Sequence, residues 1–406
     1  MGSFIKTALA LLVAIPSFAS AEESALIRSA RSGAWTDKAT WEGGHVPYAG
    51  DKVQIRTGHE VVYDTDSDAA IHAIHIAGTL RFAPDKDTRL CVGLIRIEAG
   101  EEWKDGAAAC HGQPARPDPR LRPPKLEIGS PERTIEAGHQ ALVRLVYFEG
   151  DDPTCLPAII CAGGQMDLHG ARLARCWVTL AQGTASDQAL LYPTDSVEGW
   201  RAGDHVVIAG NQTSEEAVLA ASGSEPAVPR GKKRTVLQLD HRLTLPQAAV
   251  VANLSRNVII ESATPNDVRG HTMYQRYSNG SITHAEFRNL GKKGVPGRSP
   301  IHFYLTGDTF HSFVQGASIH DSDNRWITLT GARDLIIWDC VGYRSSGQGF
   351  HLASGIEGGN WLDRNFALQA TPRDPQGHWW ATSANLFTRN FAAECAQQGF
   401  RPEVER

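Results

Sequence analysis

One stretch of the chain, residues 297–360, contains three residues that we select as candidates for proton transfer. They are His302, His351 and Glu357, and we predict them as the catalytic candidates. Breaking a glycosidic bond needs a proton donor and a base or nucleophile, usually two carboxylates about 5–10 Å apart, and a histidine can fill one of these roles. Both His302 and Glu357 also have structural alternatives: His302 could simply hydrogen-bond within its strand, and Glu357 could cap a Gly-rich turn.

Groups that could bind a substrate surround these candidates. An arginine can hold a carboxylate through paired hydrogen bonds, and aromatic rings can stack on sugar rings. The substrate-binding candidates are Arg298, Arg325, Asn360, His271, Tyr304, Trp379 and Trp380. For the two tryptophans, hydrophobic packing is the alternative that we favour. A metal site needs three or more converging His or carboxylate ligands; we assign no metal-ligating residues, and the cofactor stays unknown, with calcium as a candidate.

Short apolar runs separated by turn residues must position these groups. Ile301 to Phe303, Trp326 to Leu329 and Leu335 to Trp338 alternate with clusters of Gly, Asp, Asn and Ser. No apolar pattern with a period of 3.6 residues lasts for the ~10 residues that a helix needs. We therefore predict strands and turns here, and no helices.

A repeat of 25 residues indicates how these strands are arranged. Arg364-Asn365-Phe366-Ala367 recurs 25 residues later as Arg389-Asn390-Phe391-Ala392. A fixed period of about 20–50 residues is typical of a solenoid, and with strands alone it predicts a parallel β-helix whose coils stack about 4.8 Å apart. Equivalent positions on neighbouring coils then share one face, which would gather His302, Glu357 and the arginines onto a common wall. The alternative is a repeat that arose by chance.

The first residues have the pattern of a secretory signal peptide. Lys6, the apolar run from Thr7 to Phe18, and Ala19-Ser20-Ala21 as an A-x-A cleavage site predict a signal over residues 1–21. The alternative is a retained membrane anchor. No later run of 18 apolar residues occurs, so we predict no other transmembrane segment and a secreted, periplasmic or cell-surface protein.

Charge and cysteine content limit the partners and the redox state. The formal net charge of −5 lacks the excess of positive charge that is typical of proteins that bind nucleic acid. We interpret Lys292-Lys293 as solvated charges in a loop. Of the seven cysteines, Cys155 could pair with Cys161, or Cys91 with Cys110, in an oxidising compartment. The pairing stays open, and the odd number leaves at least one thiol unpaired.

Several motifs, in a specific order, resemble a known family. Those in the first part of the chain resemble the eight-glycine (G8) domain, an extracellular β module: Gly33-Ala34-Trp35, Trp41-Glu42-Gly43-Gly44, Gly50-Asp51-Lys52-Val53, Gly58 and Ile76 to Leu80. Later segments resemble a right-handed β-helix and the residues that join it to that domain: Met166 to Gly170, Trp177 to Leu180, Gly199 to Asp204, Gly270 to Met273, Arg298 to Phe303 and Gly347 to Asn360. Their order is similar to that of the cell-surface and secreted hyaluronan-depolymerising proteins. The resemblance covers most of residues 33–400, with a low-complexity interruption at about 211–234.

The resemblance implies an all-β fold class and a division into domains. A G8-like β domain would span residues 22–170, with a Pro-rich excursion at 111–131. A right-handed parallel β-helix would follow over residues 171–406, and we expect that it could be truncated at its C-terminus.

The chain departs from this family at the positions where the family has active-site residues. Tyr304, Thr330 and Gln348 stand where the family pattern has histidines, and Ala353-Ser354 stands in place of an acidic pair. Arg298, His302, Arg325, Glu357 and Asn360 remain. Thr330 and Gln348 cannot titrate near neutral pH, although Tyr304 could still donate a proton. The resemblance therefore implies chemistry that is weakened or lost.

We predict that this chain binds or acts on an extracellular polysaccharide, with weakened or lost catalysis. One alternative is an active hydrolase or lyase on hyaluronan or another uronic-acid polymer. The other is a structural or adhesive surface module without affinity for sugar.

Overall fold

The described part of the chain folds almost entirely into strands and turns. The computed structural model describes residues 26–103, 112, 114, 116–181, 187–210, 213–226, 233–245, 248–264, 267–309, 312–371, 380–381, 384–395 and 401–402. The predicted signal peptide over residues 1–21 lies outside these ranges, as does Cys110. Within them, the two helical segments are short 3-10 turns, Lys38–Thr40 and Glu42–Gly44, and no described helix is long and apolar enough to cross a membrane.

The strands are short because turn residues interrupt the apolar runs, as the spacing of Gly, Asp and Asn predicts. The described chain up to residue 169 forms β1 (Leu26–Arg28), β2 (Gly33–Ala34), β3 (Lys52–Ile55), β4 (Glu60–Tyr63), β5 (Asp66–Ile76), β6 (Thr79–Phe82), β7 (Thr88–Glu98), β8 (Lys125–Ile128), β9 (Ala141–Leu145), β10 (Ala158–Ala162) and β11 (Gln165–His169). Next come β12 (Trp177–Thr179), β13 (Leu190–Leu191), β14 (His205–Gly210), β15 (Ser214–Pro226), β16 (Lys233–Leu239) and β17 (Ala248–Asn253).

The rest of the described chain continues in the same manner. Its strands are β18 (Val258–Ser262), β19 (His271–Tyr274), β20 (Ser281–Thr283), β21 (Ala285–Arg288), β22 (Ile301–Asp308), β23 (Phe313–Gln315), β24 (Ser318–Ser322), β25 (Ile327–Arg333), β26 (Ile336–Trp338), β27 (Val341–Ser345), β28 (Phe350–Leu352), β29 (Trp361–Asp363), β30 (Phe366–Ala370), β31 (Trp380–Ala381), β32 (Leu386–Thr388), β33 (Phe391–Ala393) and β34 (Arg401–Pro402).

Parallel pairing arranges most of these strands into the three faces of a β-helix. One part of a large sheet runs in the order β28-β25-β22-β19-β10-β7, and we call it the first arm. The same sheet continues from β7 as the second arm, β7-β9-β18-β21-β24-β27-β30-β33. A separate ten-stranded sheet, β2-β4-β6-β8-β11-β20-β23-β26-β29-β32, forms the third face. The predictions of an all-β chain and of a parallel β-helix are confirmed.

The repeat of 25 residues corresponds to one coil. Val341 pairs with Phe366, and Phe366 pairs with Phe391 in the next strand. The rings of Phe366 and Phe391 stack with centroids 5.5 Å apart and planes 9° apart. Residues 25 positions apart therefore lie directly over one another in this part of the chain, as predicted.

Asparagine side chains connect successive coils at the corner before β30 and β33. Asn365 Oδ1 accepts a hydrogen bond from the Cys340 backbone N–H at 3.0 Å, and its Nδ2 donates to Asn390 Oδ1 at 3.0 Å. The preceding residues, Arg364 and Arg389, have φ values of 54° and 52°, a left-handed conformation that turns the chain sharply into the next strand. The buried amide satisfies backbone groups that this turn leaves without a sheet partner.

An antiparallel sheet of six strands is inserted between β11 and β18, in the order β12-β17-β14-β15-β16-β13. The low-complexity interruption at 211–234 falls within this insertion, and most of its described residues belong to β15 and β16, which pair as a hairpin. Along β15, Ala217 and Leu219 are buried while Glu216 and Val218 are not fully covered, which is the alternation of a strand. The sequence does not show this alternation clearly, because many of the residues in β15 are small or charged. On either side of the insertion, β8, β11 and β20 stay paired, so the sheet is continuous across residue 170.

The cysteine pairing differs from both alternatives that the sequence left open. Cys155 is disulfide-bonded, and its partner lies outside the described residues. Cys91, Cys161, Cys176, Cys340 and Cys395 are free. Cys161 belongs to the core inside the coils, whereas Cys155 lies in a separate hydrophobic cluster, and this separation explains why the spacing of six residues does not produce a bridge. Neither of the two pairs that the sequence left open, Cys155–Cys161 or Cys91–Cys110, is formed, because Cys161 and Cys91 are free.

Candidate functional site

His302 and Tyr304 lie on the outer surface of the first arm. Ile301 and Phe303 point into the core and are buried, so the alternation of a strand turns His302 and Tyr304 outward. His302 pairs with Thr328, and Thr328 pairs with His351 on the following strand. Two strand spacings place the Cα atoms of His302 and His351 roughly 10 Å apart.

His302 is held tightly in its neutral form. It is only 3% exposed; its Nδ1 lies 2.7 Å from the Gly297 carbonyl, and its Nε2 lies 2.9 Å from Thr330 Oγ1. Because a carbonyl can only accept, Nδ1 carries the proton and Nε2 accepts from the hydroxyl of Thr330. Burial, with the nearby charges of Arg298 and Arg325, lowers the pKa of His302 to about 4.

A cavity of about 260 Å³ opens beside His302. The polar groups of its lining come from Gln275, Arg276, Arg298, His302 and Tyr304, and none of the described residues that line it is acidic. The rings of His302 and Tyr304 are 5.4 Å apart. The cavity therefore has positive charge and hydrogen-bond donors, with no carboxylate in its described wall.

Two buried cations lie next to each other here, and one of them, Arg298, lines the cavity. Arg298 is 8% exposed and donates from Nε to the Thr154 carbonyl at 3.2 Å. Lys292 is 4% exposed and donates from Nζ to the carbonyls of Leu156 at 2.7 Å and Arg269 at 2.6 Å. Burial lowers the pKa of both groups, and Arg298 contributes to lowering the pKa of Lys292 to about 7.

The interpretation of Lys292 as a solvated loop charge is wrong. Its sequence context, Gly291-Lys292-Lys293-Gly294, is that of an exposed loop and gives no sign of burial. Lys292 is covered because residues 154–156, more than a hundred positions earlier, supply a carbonyl acceptor for its ammonium group. Lys293 is exposed, as expected.

His271 lies behind the cavity rather than in its wall. It is completely buried on β19, where it pairs with Ala158. Burial, and then the positive charges of Arg298 and Lys292, hold the pKa of His271 well below its usual value. A neutral imidazole without access to the cavity can support the neighbouring side chains but cannot contact a ligand there.

His351 and Arg325 lie further along the same arm. Burial lowers the pKa of His351 to about 3, with smaller contributions from Arg325 and His302. Arg325 Nε donates to Gln348 Oε1, and burial lowers the pKa of Arg325 as well. The glutamine therefore holds the guanidinium of Arg325 in place on the coil that follows the one carrying His302.

Glu357 lines a different cavity. It is 1% exposed, and its Oε1 accepts hydrogen bonds from the backbone N–H groups of Gly331 at 2.8 Å and Ser354 at 3.0 Å and from the Ser354 hydroxyl. It lines a cavity of about 450 Å³ together with Arg333. Its carboxylate thus caps a Gly-rich turn at Gly331, next to the Thr330 that bonds to His302, but it does not line the cavity beside His302.

The remaining candidates are placed as follows. Asn360 is fully buried inside the coil, where its Nδ2 donates to Asn385 Oδ1 at 2.8 Å and its Oδ1 accepts from the Leu335 N–H at 2.9 Å. Trp379 lies outside the described residues, and Trp380 belongs to β31, which pairs with β34. Across the described ranges, no group of three or more His, Cys, Asp or Glu residues converges to hold a metal ion.

Two family models match the chain. The model for the G8 domain matches residues 40–181, and the model described as the CEMIP beta-helix matches residues 267–376. The first match covers most of the early coils, and the second contains most of the residues that line the cavity beside His302. They confirm the predicted combination of a G8 domain with a β-helix of this kind.

Curated relatives match the chain at modest identity. The chain is 29% identical to the human Cell surface hyaluronidase CEMIP2 over 44% of this chain and 15% of that protein. It is 28% identical to the Cell surface hyaluronidase of Danio rerio over 46% of this chain and 16% of that protein. Fibrocystin-L of Mus musculus is 24% identical over 90% of this chain and 10% of that protein. The chain therefore spans 10–16% of the length of these relatives.

Solved structures add little to these comparisons. The tailspike gp61 of Pseudomonas phage phi297 aligns with 84% of this chain and 55% of its own at 9% identity, with a TM-score of 0.20. That score is too low to carry an argument about fold or ligand.

Proposed function

We propose that this chain, which combines a G8 domain with a CEMIP-type β-helix, binds an anionic extracellular polysaccharide on the first arm and does not cleave it. Its relatives named cell surface hyaluronidases suggest the class of polymer. The predicted signal peptide and these relatives support a location outside the cytoplasm, either secreted or at the cell surface. A uronic-acid polymer such as hyaluronan is the ligand that we consider first.

The observation that carries this proposal is the charge of the cavity beside His302. Arg276 and Arg298 line it, and none of its described lining residues is acidic. Arg298 donates from Nε to the Thr154 carbonyl, and among the described residues it forms no ion pair with a carboxylate. A guanidinium in this position can hold the carboxylate of a sugar acid through two parallel hydrogen bonds.

The surroundings of the acid–base candidates favour binding over hydrolysis. Hydrolysis uses two carboxyl groups about 5–10 Å apart across the scissile bond. Glu357 instead bonds to backbone N–H groups and lines another cavity. The lone pair of His302 Nε2 already accepts the hydroxyl of Thr330, which leaves the imidazole poorly placed to take a proton from a substrate.

A binding assay combined with a measurement of polymer length tests this proposal. The purified chain is incubated with hyaluronan, chondroitin and pectin, with and without calcium. We expect retention of at least one uronic-acid polymer, weakened about tenfold or more in Arg298→Ala because a charge-assisted pair is lost. Arg333→Ala, an exposed arginine in the other cavity, is the matched control and should bind as the wild type does. Shortening of the polymer by the wild-type chain would contradict the absence of cleavage.

A second candidate function is elimination at a uronic-acid residue, favoured by the position of Tyr304. Its ring is 5.4 Å from that of His302, and both line the cavity with Arg298. In such a reaction a base removes the proton next to the carboxylate, an arginine neutralises that carboxylate, and a phenol protonates the leaving oxygen. New unsaturated ends, detected by ultraviolet absorbance and absent in Tyr304→Phe and His302→Ala, would support this candidate; their absence in the wild type would exclude it.

A further inference from the structure

A line of apolar side chains runs along the outer surface of the third face, and we call it the apolar stripe. It consists of Phe313, Ile336, Trp361 and Leu386, which occupy the same register position on β23, β26, β29 and β32. Ile336 is 43% exposed, Trp361 39% and Leu386 54%, and Phe313 is partly exposed. The stripe therefore presents apolar surface to solvent on four successive coils.

The interior of the β-helix is filled by other residues. The next residue on each strand points inward, and Val314, Ile337 and Leu362 are buried in the core. Along a strand with one solvated face, the outward positions are normally polar. Packing of the core therefore does not account for apolar residues in the stripe.

Earlier coils carry polar residues at the same register position. Arg81 pairs with Glu127, and Glu127 pairs with Asp167 on the following strand. Ser281 comes next, and it pairs with Phe313. The column thus changes from charged to apolar at Phe313, although the strands on both sides of this point pair in the same parallel manner. The fold alone does not require this change.

Hydrogen bonds hold the ring of Trp361 in place. Its Nε1 donates to Thr388 Oγ1 at 2.9 Å, and the Thr388 hydroxyl donates to Asp363 Oδ1 at 2.7 Å. Arg389 Nε donates to the same carboxylate oxygen at 2.9 Å, and its ion pair with Asp363 neutralises the charge there. The indole ring is therefore fixed before any ligand arrives, with hydrogen-bonding groups beside it.

The size and shape of the stripe favour a linear ligand over a protein. It exposes roughly 300 Å² of apolar surface, a patch size that is often functional in a monomer. A stable protein interface buries about 800 Å² on each partner, much more than a stripe one residue wide can supply. The rows of the stripe follow the strand spacing of about 4.8 Å. This spacing is similar to the advance of one sugar ring along an extended β-linked polysaccharide.

We propose that the apolar stripe is a second saccharide-binding site, which holds the apolar faces of the sugar rings of a β-linked polysaccharide lying along the axis of the β-helix. Trp361 stacks on one sugar ring, and Ile336 and Leu386 contact the rings on either side of it. The site lies on a different sheet from the cavity beside His302 and uses no carboxylate of the ligand. It is therefore independent of the proposed function.

Neutral oligosaccharides test this proposal, because they lack the carboxylate that we assign to Arg298. The Kd is measured by calorimetry for β-linked glucose oligomers of two to six rings. Because the stripe has four rows, we expect the affinity to rise with each added ring up to about four rings and then to stay constant. Trp361→Ala should raise the Kd of the longest oligomer about tenfold or more, because the aromatic contact is lost.

Two further variants control this measurement. Tyr48→Ala removes an aromatic side chain that is 71% exposed outside the stripe, and it should bind as the wild type does. Ile336→Thr keeps a β-branched residue in the strand but removes apolar surface, and it should raise the Kd several-fold. It also serves as the second test if Trp361→Ala does not fold.

Three results would overturn the proposal. The first is that the wild type binds none of the neutral oligomers, and the second is that Trp361→Ala and Ile336→Thr bind them as tightly as the wild type does. The third is a dimer in analytical ultracentrifugation that Trp361→Ala dissociates, which would identify a second copy of the chain as the partner of the stripe. None of these results involves Arg298, so the proposed function is tested separately.

Discussion

At the scale of single residues, His302 and His320 are both buried, yet their pKa values are shifted in opposite directions. His302 has a neutral carbonyl and a hydroxyl as partners, so burial dominates and its pKa falls. His320 lies between two carboxylates, with Nδ1 2.7 Å from Asp321 Oδ2 and Nε2 3.3 Å from Glu286 Oε1. These partners outweigh burial and raise the pKa of His320 to about 9. The two residues should therefore make stability depend on pH in opposite directions.

We expect His302 to destabilise the fold in acid. Its pKa is about 4 in the folded chain and about 6.5 in an unfolded chain, so the unfolded state binds the proton first as the pH falls from 6.5 to 4. At about 1.4 kcal/mol per pKa unit, His302 accounts for a loss on the order of 2–3 kcal/mol across this window. His302→Gln can keep the bonds to Gly297 and Thr330 but cannot titrate. Urea unfolding at pH 7 and pH 4 should show a smaller loss for this variant, and equal losses would contradict the assignment.

We expect His320 to stabilise the fold below neutral pH and to lose this effect in base. Its folded pKa is raised above the unfolded value, so the contribution is fully present below about pH 6.5 and disappears as the pH rises through about 9. His320→Gln should be less stable than the wild type at pH 6, on the order of 2 kcal/mol, and nearly equal to it at pH 10. A stability difference that does not change between these pH values would show that His320 is not charged in the fold.

At the scale of elements, asparagines at the corner before β30 and β33, Asn365 and Asn390, form a ladder of hydrogen bonds between successive coils. Asn365 bonds to the N–H of Cys340, the carbonyl of Ile337 and the side chain of Asn390, so one residue connects three successive coils. It is completely buried. Loss of such a side chain leaves buried backbone groups without partners, which costs far more than the net value of the hydrogen bonds themselves.

Asn365→Ala should therefore lower the free energy of unfolding by about 2–4 kcal/mol. Asn390→Ala is the matched control, because Asn390 is only partly buried and water can replace its side chain; we expect a smaller loss, about 1–2 kcal/mol. The two variants are compared by urea denaturation. Equal losses in the free energy of unfolding would contradict the claim that burial determines how much each asparagine stabilises the fold.

At the scale of the whole molecule, the sequence predicted the solenoid because the repeat lies in the part of the chain where coils follow one another with few insertions. Phe366 and Phe391 are 25 positions apart and their rings stack. Earlier coils are separated by loops of unequal length and by the inserted sheet, so the same spacing does not recur there. The hairpin of β15 and β16 could not be predicted from the sequence. Its alternating apolar positions are filled mainly by alanine and leucine, and they lie among small polar residues that do not stand out as a strand.

The cavity could be predicted only in part. The alternation around Ile301 and Phe303 is local, so the outward positions of His302 and Tyr304 follow from the sequence once a strand is recognised. Glu357 could not be placed, because a Gly-rich turn of unknown geometry precedes it and its carboxylate bonds to the backbone of that turn. Lys292 is buried by a loop that is remote in sequence, and no local pattern reports such a contact.

The most direct test of the account is whether Arg298 binds the carboxylate of the sugar. The Kd of a hyaluronan oligosaccharide and of its carboxyl-reduced, neutral analogue are measured for the wild type, Arg298→Ala and the control Arg333→Ala. We predict that removal of the ligand carboxylate weakens binding about tenfold or more for the wild type and for Arg333→Ala. For Arg298→Ala the same change should hardly affect the Kd, because this variant has already lost the contact between Arg298 and the carboxylate. If Arg298→Ala distinguishes the two ligands as strongly as the wild type does, the carboxylate is bound elsewhere and the proposed site is wrong.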